Sequence, residues 1–412
     1  MRRSLLLPAL LVALGTVIPS TGSAIELLYD EDTGRRFALG GYTQPYVRWV
    51  QDPERCREEA GTGEVVCSTE RAADGFGLQR TRLSIDASQD DLADIHIEIS
   101  TIPDLQLREA VVNVNLVDGL RFRFGRYRPP FSGQELISES RLQLNRAELI
   151  RGTPGRQLGA SFAYGIPAST GLPENLIHAE FGIYNGEADK ERGATDNIDS
   201  EFLYMGRLEI NPFGYTGKRH EGDLRPVEER NRPLLSIAGS WGTQVNQPSA
   251  YEEEYFGADL TFKLAGLAFY SEYFRRNRDF DGDDAGIDQF AQGWNIQLGY
   301  MAPLPWVQEH LELVARVEQY DPQSAARGDD NESLLQTIGG APGAGPAVPG
   351  GLQSQRNYIG GINYFVRGHD FKVQLNYTHR VAQEEFRLSA GNPDVDRDTT
   401  DDTFTVQATY RF

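Results

Sequence analysis

Hydrophobicity alternates with a period of two along nearly the whole chain, and this pattern decides what the chain can fold into. The C-terminal segment shows it most plainly. Phe404, Val406, Ala408, Tyr410 and Phe412 share one face of an extended strand, and Thr405, Gln407, Thr409 and Arg411 share the other. Phe371, Val373, Leu375 and Tyr377 likewise oppose Lys372, Gln374, Asn376 and Thr378, and Trp294, Ile296, Leu298 and Tyr300 oppose Asn295, Gln297 and Gly299. The same holds for Phe256, Ala258, Leu260, Phe262 and Leu264 against Asp259, Thr261 and Lys263. Leu311, Leu313, Ala315 and Val317 stand against Glu312, Arg316 and Glu318, and Ile95, Ile97 and Ile99 against His96, Glu98 and Ser100. About 16 such segments of roughly 9–13 residues follow one another, the length of a tilted membrane strand. A soluble sandwich could show one or two. An unbroken succession predicts a transmembrane antiparallel β-barrel of all-β class that fills residues 25–412 as a single domain.

The N-terminus sets the compartment. Arg2 and Arg3, the apolar stretch Leu5 to Ile18 and the small residues Gly22-Ser23-Ala24 form the pattern of a secretory signal peptide over residues 1–24. Beyond it no apolar run approaches the ~20 residues of a transmembrane helix. With 18 Tyr, 20 Phe and 43 Gly, the mean hydropathy is still only −0.46. That combination suits strands of which only alternate residues meet lipid. A net charge of −20 excludes nucleic acid as a natural partner. Cys56 and Cys67 lie close together in an exported chain and are expected to form a local disulfide that staples a loop.

The connections alternate in length. Tight inner turns are expected at 89–91, 117–119, 265–266 and 367–370, and longer outer loops near 51–75, 129–155, 187–199, 277–289, 321–354 and 381–400. Two connections break the rule: Ile102-Pro103-Asp104 is too short for an outer loop, and Pro212 to Arg232 too long for an inner turn. The outer loop 321–354 includes the Gly/Pro-rich run 339–351, which suits a surface segment.

The loop from Pro129 to Ile150 carries helix-like spacing in Leu136, Leu144, Leu149 and Ile150. A lumen wide enough for bulk water must be narrowed if it is to select, so this long third outer loop is expected to fold inward as a constriction over 129–155. Arg121, Arg123, Arg126 and Arg128 precede it, Arg141 and Arg146 lie within it, and Arg80, Arg82, Arg207 and Arg316 fall on the lumenal faces of other strands. Fixed guanidinium groups along a wet pore lower the barrier for anions. Asp86, Glu98, Glu109, Glu180, Glu209, Glu272 and Glu318 share the same face and oppose a simple anion track. Asp279, Asp281 and Asp283 resemble the start of a calcium loop, but Asp284 and Phe290 stand where an EF-hand needs Gly and Glu, and a solvated acidic loop is the better reading. No G-x-S-x-G, H-E-x-x-H or Walker motif occurs, so no enzyme and no cofactor are expected.

Several segments carry a family resemblance in consistent order: Phe76 to Asp86, Gly125 to Glu135, Gly206 to Gly214, Leu311 to Tyr320 and Gly360 to Phe365. Together they resemble the phosphate-selective porin O and P family of outer-membrane channels. The resemblance implies a 16-stranded barrel in a Gram-negative-type outer membrane, bounded by lipid and lipopolysaccharide. It also implies a homotrimer, and small hydrophilic solutes, anionic or neutral, passing along lumenal arginines. Arg80 and Arg82 match the basic pair of the second strand, and Arg126 and Arg128 precede the Pro-Phe-Ser entry to the constriction loop. The family's constriction lysines have no counterpart, since Lys190, Lys218, Lys263 and Lys372 all lie outside residues 120–156. A terminal aromatic such as Phe412 resembles the signal read by the barrel assembly machinery. The expected function is a porin for passive diffusion, with an anion or phosphate preference open. The alternative is a structural or adhesive barrel with a plugged pore.

Overall fold

A computed structural model describes residues 24–30, 33–51, 54–58, 65–69, 74–186, 201–216, 221–246, 251–280, 288–324, 354–386 and 395–412. The strands are β1 (Ile25–Asp30), β2 (Arg35–Val50), β3 (Glu54–Glu58), β4 (Val65–Thr69), β5 (Gly75–Gln89), β6 (Ala93–Ser100) and β7 (Gln106–Val117). They continue with β8 (Leu120–Tyr127), β9 (Gln157–Gly165), β10 (Ile177–Tyr184), β11 (Leu203–Ile210), β12 (Leu234–Asn246) and β13 (Tyr251–Leu264). The last six are β14 (Leu267–Phe280), β15 (Asp288–Met301), β16 (Leu311–Ser324), β17 (Gln355–Arg367), β18 (Phe371–Phe386) and β19 (Val395–Arg411).

From β5 to β19 each strand pairs antiparallel with the next, β2 pairs with β5, and β19 returns to β2, so that 16 strands close. Closure is what lipid demands, because an open sheet edge would leave unpaired N–H and C=O groups in hydrocarbon. At the seam Gly41 N donates to Phe412 O at 2.9 Å and Phe412 N to Gly41 O at 3.0 Å. Below that point β1 takes over as the partner of Arg35 to Leu39 on β2.

The pattern is inside-out relative to a soluble protein. Outward Leu298 and Leu313 are 45% and 50% exposed, whereas lumenal Gln297, Glu312, Asn363 and Lys372 are completely buried. Polar groups that would be solvated in an empty lumen are therefore covered by other protein segments.

Inner turns close at 90–92, 118–119, 265–266 and 368–370. Gly119 at φ 80° and Gly266 at φ 81° supply the left-handed backbone that the tightest of these need. Both irregular connections are real: 101–105 is a short outer link, and 211–233 is a long inner one with a 3₁₀ turn at Val227–Glu229. Three outer loops are shorter than the alternation suggested. β14 runs to Phe280 and β15 starts at Asp288, β16 runs to Ser324, and β18 and β19 pair as far as Phe386 and Val395. Hairpin pairing continues past the apolar band with polar residues on both faces, which hides the period of two. Residues 1–23 and 325–353, with Asp281 and Asp283, lie outside the described residues; Asp279 closes the β14–β15 pairing opposite Asp288 and is exposed.

Candidate functional site: the barrel interior

The connection between β8 and β9, residues 128–156, crosses the lumen. It carries two 3₁₀ turns, Glu139–Arg141 and Glu148–Gly152, in place of the regular helix that its leucine spacing suggested. Leu142, Leu144 and Leu149 are buried and Leu136 only partly so, and the loop bends from contact to contact.

Its seat is the wall from β11 to β18. Phe131 stands edge-on to Tyr255, and its carbonyl accepts from Arg207 Nη1 at 3.0 Å and Ser240 Oγ at 2.7 Å. Leu142 O accepts from Lys372 Nζ at 2.5 Å, and Gln143 O from Asn363 Nδ2 and Gln374 Nε2, each at 2.8 Å. Gln143 Nε2 donates to Glu312 Oε1 at 2.6 Å. Between these polar contacts the wall presents glycine. A Cβ at Gly293 would meet Leu149 Cβ at 2.6 Å, one at Gly361 would meet Leu144 Cδ2 at 2.7 Å, and one at Gly257 would meet Phe131 Cζ at 3.1 Å. Lumenal glycines are thus the bed on which the loop lies.

The facing half of the lumen, β2 to β8, keeps a cavity of about 520 Å³. Arg48, Arg80, Arg108 and Arg126 line it from the wall, and Arg128, Arg146, Arg151 and Arg156 from the loop. Only Glu135, Glu139 and Glu148 oppose these eight cations among its lining residues. Glu139 is the node of the array. Its carboxylate pairs with Arg80 Nε, with Arg82 Nη2 at 2.8 Å and with Arg146 Nε at 3.3 Å. Burial would raise its pKa, but the Arg82, Arg80 and Arg146 guanidiniums outweigh that and hold the carboxyl well below its usual range. Around it Arg82 also reaches Glu98 at 2.6 Å, and Glu109 takes Arg156 at 2.9 Å and Arg128 at 3.5 Å. Arg48 Nε and Arg108 Nε are buried and meet no acceptor among the described residues.

The sequence-derived arginines separate into groups. Arg80, Arg126, Arg128 and Arg146 line the cavity, and Arg82 lies behind it on Glu98 and Glu139. Arg207, held by Asp259 at 2.5 Å, and Arg316, on Glu318 at 3.0 Å, belong to the loop-bearing wall and do not line this cavity. Arg121 sits beside the inner turn 118–119 on Asn115, and Arg123 pairs with Glu180 at 2.9 Å over the Tyr127 ring; neither lines the cavity. Both precede the loop by only a few residues, but an extended strand carries them some 10–20 Å down the wall. Arg141 presents its carbonyl to Glu221 N at 3.4 Å and does not line the cavity either. Arg48 and Arg108 give no signal in the sequence, because Arg48 sits far from the loop in the chain and Arg108 is brought beside it only by the β7–β8 pairing. The same holds for Lys372, which lies outside residues 120–156 in sequence and on the loop in space. Cys56 and Cys67 face each other in the register of the β3–β4 hairpin.

A closed 16-stranded antiparallel barrel with an apolar exterior and a charged interior is an outer-membrane channel. The family model for phosphate-selective porin O and P matches residues 80–412, and the chain belongs to that family. Comparison with curated proteins gives no match. Among solved structures, the anion-selective porin from Comamonas acidovorans is 11% identical with a TM-score of 0.55, over 92% of this chain and 100% of that one. The outer membrane channel DcaP of Acinetobacter baumannii is 12% identical with a TM-score of 0.54, over 93% and 99%. OmpT of Vibrio cholerae is 10% identical with a TM-score of 0.53, over 94% and 99%. At these identities the likeness is one of fold.

Proposed function

We propose that the cavity between the β2–β8 wall and residues 128–156 is the constriction of a passive, anion-preferring diffusion channel without enzymatic activity. The observation that carries this reading is the lining: eight arginines against three glutamates, with Arg48 Nε and Arg108 Nε buried and without an acceptor among the described residues. A single uncompensated charge at ~4 Å and an effective dielectric of 20 is worth about 4 kcal/mol to a passing anion and opposes a cation by as much. Phosphate suits such a site chemically, because the planar guanidinium fork binds two of its oxygens at once. The carboxylates among the arginines keep any one anion from binding too tightly to leave.

The test is a planar-bilayer recording across a salt gradient, with phosphate competing against chloride. A reversal potential of anion sign and a block of chloride current by phosphate are expected. Cation preference, or absence of stepwise conductance from folded protein, would overturn the reading.

We further infer a homotrimer, in line with the trimer form in which OmpT of Vibrio cholerae has been solved. β8, β9, β10 and β11 have only eight or nine residues. Tilted at ~40°, such strands rise about 20 Å, less than the ~25 Å apolar band of a lipid-facing barrel, which suits a wall covered by another copy. Migration as a trimer on unheated gels is expected; a monomer in mild detergent refutes it.

A further inference from the structure

The long inner connection 211–233 does not hang from the mouth of the barrel. Its residues Glu221, Gly222 and Asp223 rise into the lumen and are buried there, Glu221 at 3% and Asp223 at 0% exposure. The foot is fastened to neighbouring inner turns. Arg225 grips Asp223 through two bonds of 2.6 and 2.9 Å, Gly266 N donates to Asp223 at 3.2 Å, and Arg230 Nη1 donates to Gln308 O at 2.7 Å.

The tip meets the constriction loop. Glu221 Oε1 accepts from Gln134 Nε2 at 2.7 Å, and Oε2 accepts from the backbone N of Gln143 at 2.8 Å and from Gln297 Nε2 on β15 at 3.0 Å. Gln134 in turn accepts from the backbone N of Ala147 at 2.7 Å. One carboxylate from the inner side therefore ties two separate turns of the outer loop to each other and to the wall. Its loss would strand the Gln143 N–H and the Gln134 amide in a buried site, where unmet donors are expensive.

We infer that Glu221 is a positioning residue for permeation: the inner connection holds the constriction loop against the β11–β18 wall and closes that half of the lumen, confining solutes to the arginine-lined half. None of the connection's described residues lines the arginine cavity. It acts by deciding where Arg146, Arg151 and Arg156 stand. The inference rests on the channel reading above, but its readout differs, because unitary conductance reports the open cross-section whichever ion is favoured.

The experiment compares wild type, Glu221→Ala and Arg225→Ala in planar bilayers, with folding checked by heat-modifiable migration on gels. Freeing the closed half of the lumen should raise unitary conductance roughly twofold, as the open cross-section grows, and draw the anion-to-cation permeability ratio toward one. Arg225→Ala, at the foot of the connection and away from the loop, should move both quantities the same way by a smaller amount. If Glu221→Ala fails to assemble, Arg225→Ala carries the decision. Wild-type conductance and selectivity in an assembled variant overturn the inference. A cation-preferring wild type whose conductance still rises in the variants would overturn the anion path and leave the positioning role standing.

Discussion

Replacing Gly293 by alanine should narrow the pore from its hidden side. Gly293 faces the lumen on β15, directly beneath the loop's second 3₁₀ turn. An added Cβ would lie 2.6 Å from Leu149 Cβ, 3.1 Å from Phe274 Cε1 and 3.2 Å from Gln319 O. The phenyl ring can tilt, but Gln319 O belongs to the β16 backbone, and Leu149 Cβ is one bond from the loop backbone. Apolar carbons settle about 3.5–4 Å apart, so the loop must retreat by about 1 Å. It can retreat only away from the wall, toward the cavity that Glu148, Ile150 and Arg151 line from the loop's other face. The cost of such overpacking, about 1–3 kcal/mol, is small beside the closed hydrogen-bonded barrel, so the variant should assemble. Unitary conductance in symmetrical salt is the assay, and a lower value is expected for Gly293→Ala. Gly360→Ala is the control, since that glycine lies on the lipid side of β17 with nothing within 4 Å of its added Cβ. Equal conductance in the two folded variants would refute the idea that lumenal glycines set the loop's position.

Other perturbations address the arginine wall and the barrel seam. Glu139→Gln leaves Arg80, Arg82 and Arg146 without their common carboxylate; removing one partner from such a buried array costs about 3–5 kcal/mol, so noisier open-channel current and stronger anion preference are expected in salt-gradient recordings. Because those guanidiniums hold the Glu139 carboxyl well below the usual carboxylate value of 4.5, its stabilisation is present above that pH and is lost only as pH falls through the depressed folded value; the difference in selectivity between wild type and Glu139→Gln should stay constant from neutral pH to about 4.5. Arg156→Gln removes a cavity cation that also binds Glu109, so the anion-to-cation permeability ratio should fall, and an unchanged reversal potential would count against the path. Deleting Phe412 removes the backbone pair with Gly41 and the ring that packs there; fewer assembled barrels with normal conductance are expected, and normal surface yield would contradict it.

The wall was legible in the sequence and its furnishing was not. Alternation such as Trp294 to Tyr300 or Leu311 to Glu318 names lipid-facing and lumenal residues because a strand has only two faces. Even the two irregular connections, 101–105 and 211–233, could be seen as irregular from length alone. What length could not say is that the second rises into the lumen, since Glu221 and Asp223 look like any solvated acids in a polar stretch. Nor could local sequence pair Arg48 with Arg108, or Lys372 with Leu142, across intervals that only the closed ring brings together. Proximity in sequence misled for Arg121 and Arg123, because each residue of strand carries a side chain about 3.3 Å further from the loop.

The two halves of the lumen follow different chemical rules, and that difference holds the clearest account of how one barrel both fixes a loop and passes a solute. On β11 to β18 many inward positions are glycines, amides and charged groups with protein partners: Gln297 with Glu221, Asn363 and Gln374 with Gln143 O, Arg207 with Asp259. These fixed pairs hold the loop against that wall, although Asn295 and the Nε of Arg207 and of Arg316 meet no hydrogen-bond partner among the described residues. Around the cavity on the β2–β8 side the arginines outnumber the carboxylates that line it with them, and Arg108 Nε meets no acceptor among the described residues. An array with donors left over has a standing requirement for acceptors, which water or a passing anion can meet in turn. Exchanging the two characters should therefore move the path. Placing a carboxylate on the arginine side, by Gln79→Glu beside Arg80, would match one surplus cation and should lower anion preference while leaving the loop seated. If selectivity were set by the chain's net charge of −20, this change of one unit would be imperceptible, and a clear shift in reversal potential would locate control in the cavity instead.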